Sequence, residues 1–133
     1  MNLVPIAQLI EDAGLAKSGT DLFLHSFPAE IETGVLVRSP LGGTKVDYEL
    51  PEYRKTSFQI IVRTHTQKYL SGDAIARGIF KELNLSEVQL DSIFIKYLRP
   101  RHEPVSFRGS PGNNVEFSIN FDICFVITDS DGY

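Results

Sequence analysis

The sequence predicts an α+β domain: a single mixed, mostly antiparallel sheet with two helices packed on one face. Three observations lead there. From Val115 to Ile127 every second residue is apolar without a break, with Glu116, Ser118, Asn120, Asp122, Cys124 and Val126 between them, the period of a strand with one buried face. Ser57–Thr64 alternates in the same way, with Phe58, Ile60 and Val62 opposed to Gln59, Ile61 and Arg63. Two further stretches, about Leu3–Ala16 and Leu70–Leu83, carry apolar residues at the three- and four-residue spacing of an amphipathic helix.

In the first helix Val4, Ile6, Ala7, Ile10, Ala13 and Leu15 form the stripe. Pro5 sits in the first turn, where a missing N–H costs little, and Gly14 or Gly19 can end the element. Leu22–Phe27 and Gly34–Arg38 read as short strands around a loop with Pro28. Ser39–Tyr53 holds Pro40, Gly42, Gly43 and Pro51 and reads as a long loop or loose hairpin. After the Ser57–Thr64 strand, Ile75, Ala76, Ile79, Phe80 and Leu83 define the second helix. Ser71 or Gly72 is placed to cap its start and Asn84 to cap its end in the αL conformation. Ser92–Leu98 is a strand with Ile93, Ile95 and Tyr97 on one side and Phe94 and Leu98 on the other. Glu103–Phe107 is a shorter one, and Gly109–Asn114 a turn. The expected order is α-β-β-β-α-β-β-β. In the last strand Phe117, Ile119, Phe121 and Ile123 are expected core. At about 3.3 Å per residue it spans roughly 43 Å, which predicts that it overhangs the sheet and offers a free end to another subunit.

Composition bounds the function. The 133 residues suit one domain, residues 1–133, with a single core. Met1–Ile10 lacks the basic start and cleavage site of a secretory signal, and no apolar run reaches the length of a membrane span. Cys124 is the only cysteine, so no intrachain disulfide forms, in keeping with a cytosolic folding environment. The net charge is −4 but unevenly spread. Glu11–Glu52 holds eight acids and three bases, whereas Tyr53–Gly109 holds ten bases and five acids. Two solvated surfaces of opposite sign are the simpler reading; complementary patches that favour head-to-tail contact are the other.

No motif spells out a reaction. His25, His65 and His102 lack the spacing of a helical zinc site, and a surface histidine is the plainer reading of each. Gly42, Gly43, Thr44 and Lys45 have the letters of a phosphate loop without its spacing, so they read as a turn. There is no G-x-S-x-G elbow, and Glu11 with Asp12 is a solvated helix face. No catalytic residue, metal or cofactor is expected. Lys96, Arg99, Arg101, His102 and Arg108 form the one basic cluster. With Tyr97 and Phe107 it could serve a nucleic-acid-binding module, although the acidic chain argues against tight general DNA binding. A contact with an acidic neighbour in an oligomer ranks above that. Arg99, Arg101, Arg108, Glu116 and Asp122 are the candidate subunit or partner interface.

Several segments together carry a resemblance. Gly19-Thr20-Asp21-Leu22-Phe23 follows an N-terminal helix ending in Ala13-Gly14-Leu15, and Phe27-Pro28 and Gly42-Gly43 come after it. Phe58-Gln59-Ile60-Ile61-Val62-Arg63, a helix ending near Leu83, Arg99-Pro100 and Phe117-Ser118-Ile119-Asn120-Phe121-Asp122-Ile123 complete the order. From Leu3 to Ile127 the chain resembles the tail terminator, or tail completion, proteins of long-tailed bacteriophages, which include minor capsid and tail-to-head joining proteins. The resemblance implies a non-enzymatic virion protein at the head-proximal end of the tail, assembled in the host cytoplasm. It implies a homohexameric ring that caps the tail tube protein, ends its polymerisation, meets the head connector or head completion protein, and lets DNA pass its lumen without specific binding. No membrane partner is implied. Acidic walls would keep that passage from binding phosphate, with Glu30, Glu32, Asp47 and Glu49 as the candidate lumen residues.

Overall fold

The computed structural model describes residues 2–28, 31–39, 45–46, 53–90, 92–108 and 113–128, with the backbone alone at 45, 46 and 108. Its elements are α1 (Val4–Asp12), β1 (Leu22–Leu24), β2 (Gly34–Arg38), β3 (Lys45–Val46), β4 (Tyr53–His65), α2 (Tyr69–Glu82), β5 (Leu85–Leu90), β6 (Ile93–Pro100), β7 (Val105–Arg108) and β8 (Asn114–Ile127). All eight strands form one sheet in the order β1-β2-β4-β8-β6-β5, with β3 beside β4 and β7 beside β8. Among the described strands β1 and β2 form the one parallel ladder; the other ladders are antiparallel.

The spine is the β4–β8 ladder, paired without interruption from Tyr53↔Val126 to His65↔Asn114. It overturns the expected overhang. β8 is long, but β4 matches its length, and β7 and β6 cover its other side at Val115–Ser118 and Phe121–Ile127. The first residues of β4, Tyr53-Arg54-Lys55-Thr56, carry no apolar alternation, so the sequence does not announce them as a strand.

Because side chains alternate across a sheet, the register decides which face is apolar. Phe58, Ile60 and Val62 of β4 stand beside Phe121, Ile119 and Phe117 of β8, and Val35 and Val37 of β2 extend the row. The expected core of β8 is therefore the observed one. The Phe58 and Phe121 rings stack with centroids 5.1 Å apart. Both helices cover this face: Leu3, Ile6, Ala7 and Ile10 at α1 and Ala76, Ile79 and Leu83 at α2 join the same buried cluster. α1 packs beside β1 and α2. It stops earlier than expected, at Asp12. Gly14 has φ of 74°, and Gly14 N–H donates to Glu11 O while Leu15 N–H donates to Ile10 O, the paired bonds of a Schellman cap.

Other boundaries differ for identifiable reasons. β1 ends at Leu24 because His25 takes a positive φ of 71°. α2 starts after a 3-10 turn at Thr66–Lys68, where the His65 ring accepts from Gln67 N–H, so Ser71 and Gly72 lie inside the helix and cap nothing. Asn84 is not left-handed; the chain enters β5 directly. In β6 a bulge between Ile95 and Tyr97 inserts Lys96 against β8, so Leu98, not Tyr97, follows Ile93 and Ile95 into the core.

Candidate interaction faces of the sheet

Register also builds the face away from the helices. There Arg63 stands beside Glu116, Ile61 beside Ser118, Gln59 beside Asn120 and Ser57 beside Asp122. β2 adds Leu36 and Arg38, β6 adds Tyr97 and Arg99, and β7 adds Val105 and Phe107. Hydrogen bonds join these side chains across strands. Arg38 Nε donates to Gln59 Oε1 at 2.7 Å, and Gln59 Nε2 donates to Ser118 Oγ at 2.8 Å. The Asn120 backbone N–H donates to His102 Nε2 at 3.2 Å, while His102 Nδ1 lies 2.7 Å from Glu103 O. A neutral ring with its proton on Nδ1 satisfies both contacts.

Arg63 is the anchor of one end. Its Nε donates to Glu116 Oε2 at 2.7 Å, its guanidinium lies 4.2 Å over the Phe27 ring, and a second nitrogen reaches Ile31 O. These contacts hold Phe27 and Ile31, between β1 and β2, against Arg63 of the sheet. The two side chains are only 23% and 12% exposed. Arg63→Leu therefore leaves a largely buried carboxylate without its cation, and is expected to cost roughly 2–3 kcal/mol in urea unfolding. Joint replacement of Arg63 and Glu116 by leucine should recover part of that loss. A change below about 0.5 kcal/mol in the single variant would show that the pair contributes little to stability.

The other end is basic. Arg101 grips Asp122 with a two-pronged contact, 2.6 Å to Oδ1 and 3.4 Å to Oδ2. That hydrogen bond, and then the carboxylate charge, raise the Arg101 pKa. Lys96 Nζ lies 3.0 Å from Glu87 Oε1 across the bulge, where Glu87 itself has φ of 55°; again the hydrogen bond and then the charge raise the Lys96 pKa. Arg99 is in register with Asp122, yet its guanidinium stacks 4.2 Å over Tyr97. One carboxylate thus sits among two arginines; Lys96 and Arg101 are paired with Glu87 and Asp122, and Arg99 has no ion pair among the described residues.

β7 runs along β8 with its outer edge unpaired among the described strands. Apolar side chains surround that edge. Val105 is 54% exposed and Phe107 is also exposed, while Leu70 at the start of α2 is 81% exposed. Tyr69 ties the helix to the strand through Ser106 Oγ at 3.3 Å and rests against Phe117. At the opposite side of the sheet, Glu11, Asp12 and Asp21 gather around the end of α1 and the entry to β1. Glu11 accepts from Ser18 N–H, Asp21 from Lys17 N–H and Asp12 from the Gln8 amide. A shallow cleft of about 420 Å³ lies there, lined by Glu11, Leu15, Lys17 and Asp21.

Of the residues singled out in the sequence, Arg99, Arg101, Glu116 and Asp122 all belong to the face away from the helices. Arg101 and Asp122 meet each other, and Glu116 meets Arg63. Arg108 is in register with Val115, at the far end of β7 from Arg101. Glu32 is exposed just before β2. Glu30, Asp47 and Glu49 lie outside the described residues. Arg38, Gln59 and Arg63 were not anticipated; the signal for Arg63 was a charged residue opposing the apolar side of a strong strand. Among the described residues no three His, Cys, Asp or Glu side chains are grouped to hold a metal ion, and no helix is long and apolar enough to cross a membrane.

Comparison with known proteins gives the fold a context. The model of a family described as "Bacteriophage tail terminator protein" matches residues 9–127. No curated protein sequence matches. A chain from a solved structure titled "Virion of native gene transfer agent (GTA) particle" superposes with a TM-score of 0.64 at 15% identity, covering 91% of this chain and 94% of that one. A second solved chain, also at 15% identity, has a TM-score of 0.44 with 92% and 96% covered. At such identity the first likeness concerns the fold.

Proposed function

The chain belongs to the bacteriophage tail terminator family, and from that premise we propose that it forms a closed homohexameric ring on the head-proximal end of the tail tube. The ring ends polymerisation of the tube protein and presents its outer side to the head connector or head completion protein. The observation that carries this reading is the family match, which runs from the end of α1 through α2 and the whole sheet rather than over an isolated motif. A terminator has to close, because an interface that repeats without closing makes a filament instead of ending one. The protein works by shape and contact, without catalysis or a cofactor.

In this ring Arg99, Arg101 and Arg108 contribute to the contact between subunits, with Asp122 positioning Arg101 and Glu116 positioning Arg63. Glu30, Glu32, Asp47 and Glu49 line the lumen, where carboxylates repel the phosphates of passing DNA and prevent it from being gripped. Native mass measurement over a range of concentrations, with electron microscopy of purified tails, tests the reading. The expected result is a hexamer, formed in solution or on tube ends, at the head-proximal end of the tail. A monomer at every concentration, together with its absence from that end, would sink it. Tight DNA binding by a monomer would favour a nucleic-acid-binding module instead.

A further inference from the structure

Parts of the two oppositely charged stretches of the sequence come to lie on opposite flanks of one sheet, while other bases stay beside the acidic stretch, as Arg63 does against Phe27 and Ile31. The acids of the N-terminal half that the structure describes are Glu11, Asp12 and Asp21 beside α1 and β1, and Glu32 before β2. The bases Lys96, Arg99 and Arg101 lie on β6 and in the bend after it, across the sheet from β1. Both flanks also expose apolar side chains: Val4 on the acidic flank, Val105, Phe107 and Leu70 on the basic one. On α1, Val4, Gln8 and Asp12 follow at four-residue spacing and all point outward, opposite the buried Ile6 and Ile10. Among the described residues Glu11, Asp12 and Asp21 form no ion pair; their oxygens are met only by neutral donors.

We propose that the occupant of the basic flank is a second copy of this chain: Arg99 and Arg101, with Val105 and Phe107 beside them, pack against the outward face of α1 and the entry to β1 of the next subunit. This rests on the ring reading above and names the two surfaces that the ring joins. A head-to-tail contact needs two different, complementary patches on one molecule, far enough apart for both to be engaged at once. Opposite sheet edges meet that need. Charge supplies orientation: Arg99, which has no ion pair among the described residues, meets carboxylates that have none, and the acidic flank against itself would bring Glu11, Asp12 and Asp21 of two copies together, while the exposed apolar residues supply the contact area. Since the charged groups lie at the surface, rising ionic strength weakens the contact.

The test uses charge exchange in the full-length chain. One variant carries Arg99→Glu and Arg101→Glu, the other Glu11→Lys and Asp12→Lys. Each alone is expected to remain folded by circular dichroism and to self-associate at least tenfold more weakly, or not at all, by native mass spectrometry. Mixed in equal amounts they should restore the ring, with the two variants alternating. Arg99→Glu alone covers the case in which losing the Arg101–Asp122 contact unfolds the double variant, since Arg99 is exposed and its guanidinium rests on the Tyr97 ring. It too should weaken assembly and be rescued by the lysine variant. Wild-type-like assembly by both variants overturns the flank pairing, as does a mixture that stays dissociated. In both cases a wild-type ring would still stand. A wild-type chain that never assembles removes the ring itself.

Discussion

Phe121→Ala is expected to lower stability by about 3–5 kcal/mol, and the melting temperature by roughly 10–20 °C. The ring is fully buried and stacks on Phe58 at the middle of the β4–β8 ladder. Truncation removes the apolar contact and leaves a cavity that the flanking Ile119 and Ile123, themselves buried on the same strand, have little freedom to fill. Backbone pairing resists collapse here, since β8 is held by β4 on one side and by β6 on the other at this position. Thermal and urea unfolding followed by circular dichroism measure the loss. An unchanged transition would mean that the assigned face of β8 is wrong.

Gly72→Val is expected to cost about 3 kcal/mol through overpacking, even though glycine is a poor helix residue. A Cβ at Gly72 would lie 2.4 Å from Thr64 Cγ2 and 2.8 Å from Phe117 Cε2, with Thr64 Cβ behind them at 3.1 Å. Glycine is what lets the start of α2 descend onto the sheet. Gly78, one and a half turns later, gives the control. The atoms nearest a Cβ there belong to the flexible end of Leu15, with Cδ2 at 2.8 Å. Gly78→Ala should therefore be neutral or gain up to about 1 kcal/mol from helix propensity. Gly72→Ala should instead lose roughly 1–2 kcal/mol, because steric cost outweighs the same gain. Equal stabilities for the two alanine variants would show that the close approach at Thr64 and Phe117 does not constrain the helix.

The fold was legible where one period ran unbroken. β8, the apolar half of β4 and both helices follow directly from it. The misses came from local departures from period. β5 was overlooked because Leu85, Val88 and Leu90 do not alternate and Glu87 is left-handed, so its edge position leaves little apolar signal. The bulge at Lys96 shifts the phase of β6 by one residue, which exchanges Tyr97 and Leu98 between faces. The site was legible in part. Composition found the arginines of β6 and its following bend and the carboxylate of Asp122, but not that Arg101 and Asp122 bind each other. That pairing is a matter of register between segments distant in sequence. Arg63 with Glu116 is hidden for the same reason. The family resemblance gave the sheet and helices a common frame, and the family match agrees with it.

The β4–β8 ladder has a consequence for the order of events during synthesis. Every one of its pairs joins residues separated by all of α2, β5, β6 and β7. Such closure is slow, and until β8 emerges from the ribosome the apolar side of β4 has no central partner. Intermediate chain lengths cannot build a lesser version of the subunit; they expose Phe58, Ile60 and Val62 for chaperones to hold. A subunit therefore becomes competent abruptly, once β8 has been made. Premature termination upstream of β8 yields aggregation or degradation instead of a partly folded subunit.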